Sequence, residues 1–168
     1  MPDRGKGDAI SHGIKASTKN IIVQLDADLQ FLPEEIPSLI QPLLENRADM
    51  TLGSRFMKHS IRNAESVPGA RLGGNFVVSL WCSFLYGQKI TDALAGFKAW
   101  KRGVTASFDL TSFTYSYEVE LFAKAIQKKW RVVDVPISTC PRKAGVSTVS
   151  VFSSGLNILK DAVRFCFY

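Results

Sequence analysis

"NIIVQLDADLQFLPEE", residues 20–35, changes character halfway along. A short apolar run gives way to two aspartates and a glutamine spaced one residue apart, then to a proline and two glutamates. Ile21, Ile22, Val23 and Leu25, ending in a carboxylate, have the pattern of a strand buried on both faces of a parallel sheet, with Asp26 at its carboxyl end. Pro33 suits the first position of a helix, and Glu34 and Glu35 complement the dipole of its first turn. Strand, acidic loop and helix in that order predict an α/β unit, in which ligands bind beyond the carboxyl ends of the strands.

The flanking segments continue the alternation. Ahead of the strand, a glycine turn and Asp8, as a cap, predict a helix over 9–18. After it, Pro37 and Pro42 are expected to kink or interrupt the helix begun at Pro33. "ADMTLGSRF" (48–56) reads as a second strand, with Gly53 and Ser54 opening a loop. An apolar helix follows over 72–86, then "TDALAGFKAWKR" (91–102), a short strand with a carboxylate before it. "SYEVELFAKAIQKKW" (116–130) has apolar residues at 119, 121, 122, 125 and 126, a helical period, and "RVVDVPIST" (131–139) is a further strand. No repeat or low-complexity linker interrupts the chain.

With 168 residues, 46% of them hydrophobic, the sequence supports one domain with a core. Its net charge of +6 points to an anionic partner: nucleic acid, a phosphorylated substrate or an anionic membrane surface. The nucleic-acid class has only the charge in its favour, since neither an aromatic platform nor a binding motif accompanies it. Cys82, Cys140 and Cys166 lack paired spacing, so neither a disulfide framework nor a zinc site is indicated, and a reducing, cytoplasmic setting is expected. No signal peptide is read, and the apolar stretch at 76–87 is shorter than the roughly 18 residues that span a bilayer, so membrane contact is expected to be peripheral.

In an extended segment alternate side chains point the same way, so Asp26, Asp28 and Gln30 are able to present oxygen donors on one side. Such hard donors suit Mg²⁺ or Mn²⁺, whose shell substrate phosphates commonly complete. The competing reading is a solvated turn whose acids cap the next helix. A phosphatase-type nucleophile pair is not matched, because "DADLQF" lacks the hydroxyl residue that follows the second aspartate. "DRGKGD" does not match a Walker-type loop, having no Ser or Thr after Lys6. Gly5 and Gly7 nevertheless permit close backbone approach, and Lys6 at a helix start suits an anion, a plain helix-entry turn being the alternative.

Taken together, "GKGDAI" (5–10), "DADLQ" (26–30), "GSRF" (53–56), "RLGGN" (71–75), "TDALAGFKAW" (91–100), "YEVE" (117–120) and "VPISTCPRKAGVS" (135–147) resemble, in order and spacing, the family 2 glycosyltransferases of GT-A fold. More narrowly they resemble the polyprenyl-phosphate branch, the dolichol-phosphate mannose synthase and glucosyltransferase group. The resemblance covers nearly the whole chain and implies a GT-A, Rossmann-like α/β fold with a mixed sheet flanked by helices.

It also implies roles. Asp26, with Gly5, Lys6 and Gly7, would face the nucleotide of the donor, and Asp28 and Gln30 would ligate Mg²⁺ or Mn²⁺. Arg55, Arg71 and Asn75 would hold the lipid phosphate, Arg142 would clamp phosphates at the reaction centre, and Asp92 would stand near the sugar. A surface role for Arg142 and a capping role for Asp92 are the alternatives; Glu118 and Glu120 read equally well as helix-surface acids. The implied reaction is inverting transfer of a hexose from GDP-mannose or UDP-glucose to a polyprenyl (dolichyl) phosphate at the cytoplasmic face of a membrane. Family members carry further strands and the base pocket before the "GKG" position. The expectation is therefore a partial, N-terminally truncated GT-A domain over 1–150, acting alone, with a separate N-terminal or membrane subunit, or as a non-catalytic remnant that binds lipid phosphate. In 151–168, Phe152, Leu156, Leu159 and Val163 form a stripe beside Lys160 and Arg164, as in a helix on an anionic membrane surface; packing on the domain's own core is the competing explanation.

Overall fold

The computed structural model describes residues 5–61, 69–141 and 151–167, without the side chains of 70, 71 and 151–154. Helix α1 spans Lys6–Ala16, strand β1 Ile21–Leu25, α2 Ile36–Leu44, β2 Met50–Ser54, α3 Gly69–Tyr86, β3 Phe97–Lys101, α4 Arg102–Ala106, α5 Tyr117–Gln127, β4 Val132–Pro136 and α6 Val151–Arg164. The strands form one sheet in the order β1-β3-β2-β4. β3 is antiparallel to both neighbours, whereas β2 and β4 are parallel.

The sheet lies between two layers. On one face Phe97, Ala99 and Val135 pack with Leu39 and Leu43 of α2. On the other, Met50, Leu52, Trp100 and Val132 pack with Val78 and Cys82 of α3, the apolar side of α5, and Ile158 and Ala162 of α6. Side chains alternate along each strand, so Lys98 and Trp100 of β3 face α5 while Phe97 and Ala99 face α2.

Several expectations change. The apolar run at 21–25 does meet both layers, Ile22 one and Ile21, Val23 and Leu25 the other, but β1 is paired antiparallel to β3 rather than lying within a parallel sheet. Continuous apolarity reports two-sided burial and carries no information on strand direction. Asp8 is not the cap of α1: Gly5 precedes the helix at φ 108, and Asp8 sits in the first turn. Pro33–Glu35 form a separate 3₁₀ turn; Pro37 sits in the first turn of α2, where its missing N–H costs nothing, and Pro42 lies inside that helix near its end. On α6 the buried side is Ile158 and Ala162, continued by Phe165 in the 3₁₀ turn that follows, leaving Leu156 and Val163 of the expected stripe exposed; the side chain of Phe152 lies outside the described residues.

Candidate active site

β1 and β2 run in the same direction, β4 runs with them, and β3 runs against them. The carboxyl ends of β1, β2 and β4 therefore share one edge of the sheet with the loop that enters β3. That edge carries Asp26 to Gln30, Arg55, and Asp92 to Gly96.

Each side chain is fixed there by local chemistry. Asp26 is paired with Lys6 Nζ at 2.7 Å, Lys6 being the first residue of α1. Gly96 lies against the Asp26 carboxylate so closely that a Cβ would sit 2.2 Å from Oδ2. Asp28 accepts the backbone N–H of Gln30 at 3.1 Å, across Leu29 in the left-handed region at φ 59. Gln30 in turn accepts the N–H of Cys140 at 2.9 Å, and Phe31 bridges Thr139, so the segment after β4 fastens the acidic loop. On the other side Arg55 makes a bidentate pair with Asp92, Nε to Oδ2 at 2.6 Å and Nη2 to Oδ1 at 2.8 Å. The Arg55 backbone N–H adds a third bond at 3.1 Å.

Burial sets the electrostatics. Arg55 is 6% exposed and Asp92 0%. Burial opposes the Arg55 charge, but the Asp92 carboxylate, its hydrogen bonds, and the fields of Glu118 and Asp26 push the guanidinium pKa up. Burial pushes Asp26 up as well; Lys6 pulls it down, while the Glu118 and Asp28 charges add to the rise. The Asp26 and Glu118 carboxylates thus lie close together at the end of β1, with Lys6 paired to both.

The chemistry of that donor set suits a hard divalent cation, to which Asp28 and the Gln30 amide would offer oxygen atoms near the Asp26 carboxylate. Among the described residues no group of three or more His, Cys, Asp or Glu gathers to hold a metal unaided.

The structure thus brings Lys6, Asp26, Asp28, Gln30, Arg55 and Asp92 to one edge. Gly5 and Gly7 adjoin it, and their close approach is to the chain itself: the Gly7 N–H donates to Phe113 O at 3.0 Å, and a Cβ on Gly7 would meet Ser112 O at 2.1 Å. Arg71 and Asn75 lie on the first turns of α3, with the Asn75 carbonyl accepting from Ser79 Oγ at 2.7 Å; the Arg71 side chain and the whole of Arg142 lie outside the described residues.

Glu118 and Glu120 are not surface acids. Glu120 is fully buried, accepting from the Thr111 and Ser112 backbones and from Lys124 Nζ. Glu118, 2% exposed, accepts from Lys6 at 3.0 Å, Tyr117 Oη at 2.5 Å and Gln24 Nε2 at 3.2 Å, and is ion-paired with Lys98. Sequence reading misses Lys98 altogether. Its one signal is a lysine placed between apolar neighbours in the middle of a strand.

The sequence model of glycosyl transferase family 2 matches residues 1–94. The chain belongs to glycosyl transferase family 2. Its curated relatives include the polyprenol monophosphomannose synthase of Mycolicibacterium smegmatis, 33% identical over 135 residues, which cover 78% of this chain and 49% of that protein. The dolichyl-phosphate hexose transferase of Haloferax volcanii is 26% identical over 163 residues, 97% of this chain and 68% of that protein. These place it among relatives of the polyprenyl- and dolichyl-phosphate hexosyltransferase branch. The fold is GT-A-like: glucosyl-3-phosphoglycerate synthase from Mycobacterium tuberculosis, solved with Mn²⁺, uridine diphosphate and phosphoglyceric acid, superposes with a TM-score of 0.71 at 18% identity, over 99% of this chain and 56% of that one. The chain thus spans about half the length of the mycobacterial relatives it matches.

Proposed function

We propose that this chain carries the reaction-centre part of a metal-dependent, inverting hexosyltransferase that moves mannose or glucose from a nucleotide sugar to a polyprenyl phosphate at a membrane surface. The observation that carries this reading is the convergence, at one end of the sheet in a family 2 chain, of the "DADLQ" loop with the Arg55–Asp92 pair.

In this reading Asp26 and Lys6 face the donor nucleotide, and Gly5 and Gly7 let the start of α1 pack against Ser112 and Phe113 so that Lys6 reaches Asp26. Asp28 and Gln30 hold Mg²⁺ or Mn²⁺, which when bound neutralises charge on the leaving diphosphate. Asp92 stands near the sugar with Arg55 as its buried partner, and Arg71 and Asn75, with Arg142, serve the phosphates. A polyprenyl phosphate is ionised near neutral pH, so its attack on the anomeric carbon needs no general base. Glu118 agrees with this: Lys98 and Lys6 hold its pKa down, against its burial, at about 2, and it is committed to both. The task of the site is to bring two anions into line, which requires fixed positive charge.

Two helices support the membrane part of the reading. Phe76, Val77, Leu80, Trp81 and Phe84 make an exposed apolar stripe on α3, and α6 packs beside it, the Trp81 indole donating to Leu159 O at 3.3 Å. Leu156 and Val163 of α6 are exposed with Lys160 and Arg164, an apolar face with a basic flank suited to anionic lipid. No helix among the described residues is long and apolar enough to cross a membrane.

The test is transfer of labelled hexose from GDP-mannose or UDP-glucose to a polyprenyl phosphate in detergent with Mn²⁺ or Mg²⁺. Transfer is expected with metal and abolished by Asp28→Ala. Failure to bind any nucleotide sugar in the presence of metal would overturn the assignment; polyprenyl-phosphate binding alone would leave a lipid-phosphate-binding unit.

A further inference from the structure

Behind the acidic loop lies a buried ion pair, Lys98 with Glu118, for which the proposed reaction has no direct use. Lys98 is 0% exposed in the middle of β3, directly across from Gln24 of β1. Its ammonium donates to Glu118 and to the carbonyls of Ala95, at 2.5 Å, and Ala93, at 3.4 Å, so its three protons have three acceptors. Glu118 passes the connection to Lys6, and Lys6 to Asp26. The two carbonyls belong to the loop that runs from Asp92, the partner of Arg55, to Gly96, the residue against Asp26. One buried ammonium therefore touches the supports of both halves of the site.

A buried ion pair adds little net stability over well-packed apolar side chains of the same volume, because desolvation offsets its attraction. Packing alone does not account for Lys98 and Glu118 here. What the pair supplies that Met and Gln would not is a fixed negative charge beside Lys6 and a fixed donor beneath the 92–96 loop.

We propose that Lys98 and Glu118 are positioning residues: Glu118 holds the Lys6 ammonium over Asp26, and Lys98 fixes both Glu118 and the loop from Asp92 to Gly96, so that the pair sets the geometry in which the acidic loop receives a metal-bound nucleoside diphosphate. This rests on the reading of the site as a nucleotide-sugar site. The Tyr115 and Tyr117 rings, 5.9 and 5.7 Å from Lys6 Nζ, line the same amine, and the Tyr117 hydroxyl steadies Glu118. With Glu118 neutral, Lys6 retains one carboxylate in place of two, and its amine gains freedom to leave Asp26.

The experiment removes both charges together, Lys98→Met with Glu118→Gln, which keeps the core electroneutral and its volumes similar. Two quantities are read: acetic anhydride labelling of Lys6 by peptide mass spectrometry, with Lys15 and Lys19 as references in the same chain, and binding of Mn²⁺ with uridine or guanosine diphosphate by calorimetry. Lys6 labelling is expected to rise at least about threefold over the references, and nucleotide affinity to fall about tenfold. Unchanged Lys6 labelling overturns the proposal, as does increased labelling with unchanged affinity. If the double variant does not fold, Tyr117→Phe, which removes only the hydroxyl bonded to Glu118, reads the same two quantities and is expected to move both in the same direction by less. A wild-type chain that binds neither nucleotide defeats the nucleotide-sugar reading, while Lys6 labelling still decides whether Glu118 holds the amine.

Discussion

Gly96→Ala puts a methyl group where the Asp26 carboxylate now lies. The added Cβ would be 2.2 Å from Oδ2, 2.3 Å from Cγ and 2.4 Å from Oδ1. Real Cβ contacts essentially never fall below 3.0 Å, so the carboxylate has to withdraw by at least about 0.8 Å. A withdrawal of that size along the line to Lys6 would stretch their 2.7 Å bond to about 3.5 Å, past hydrogen-bonding distance. What moves is the end of a side chain, not backbone, and alanine lowers the entropy of the unfolded chain, so the stability change should stay within about 1 kcal/mol. Misplacement of a reacting group by about 1 Å costs up to about a hundredfold in rate. The expected result is a nearly unchanged melting temperature with metal-dependent nucleotide affinity down by about ten- to a hundredfold, read by calorimetry with Mn²⁺ and uridine or guanosine diphosphate. Gly53→Ala is the control: its Cβ would lie 2.7 Å from the Phe97 carbonyl oxygen and 2.8 Å from Ile137 Cδ1, so the fold itself should lose about 1–3 kcal/mol. Nucleotide affinity unchanged in Gly96→Ala would refute the placement of Asp26 at the donor.

Glu118, held at about 2 against an ordinary 4.5, contributes stability that is full above pH 4.5 and is lost as pH falls toward 2. Acid unfolding followed by circular dichroism should steepen in that window, and Lys98→Met with Glu118→Gln should flatten it; an identical profile in both proteins would exclude Glu118 as its source. Leu80→Glu with Phe84→Glu, on the exposed stripe of α3 where Phe84 is 77% exposed, should cut flotation with anionic vesicles about tenfold while leaving the melting temperature unchanged; unchanged flotation would remove α3 from the membrane face. Arg55→Ala leaves Asp92 buried without its guanidinium and should cost about 3–5 kcal/mol in urea titration, so its loss of acceptor use would be a folding effect; an Arg55→Ala chain of wild-type stability would refute the buried pairing. Arg71→Ala, by contrast, should raise the polyprenyl-phosphate KM at constant stability.

Most of the fold was legible because its signals are local. The run at 21–25 ends where Asp26 begins, the 3.6-residue period of 119–126 gives α5, and Pro33 marks the turn into α2. Strand direction was not legible, since it depends on pairing between segments far apart in sequence: β1 meets β3 and β3 meets β2, and no periodicity within β1 encodes either. The same limit applied at the site. Asp26, Asp28 and Gln30 are visible as a motif because they are neighbours in the chain. Lys98 and Glu118 are brought together only by the packing of α5 on β3, so each looked like an ordinary lysine or a helix-surface acid until its burial was known. Arg55 and Asp92 were each visible singly, and their pairing was not.

That pairing bears on how the site must work. Lys6 with Asp26, Lys98 with Glu118 and Arg55 with Asp92 are ion pairs of opposite charge, and each is internally neutral. On the proposed function, a sugar diphosphate and a lipid phosphate would bring several negative charges to this edge, and the three pairs would cancel none of them while they remain intact. On that proposal neutralisation would come from a divalent cation at Asp28 and Gln30, from basic residues beyond these pairs such as Arg71 and Arg142, or from Lys6 exchanging Asp26 for a phosphate oxygen. The last route is open to Lys6 and closed to Lys98, because Lys6 is the partly exposed lysine, its side chain 26% accessible where that of Lys98 is 0%.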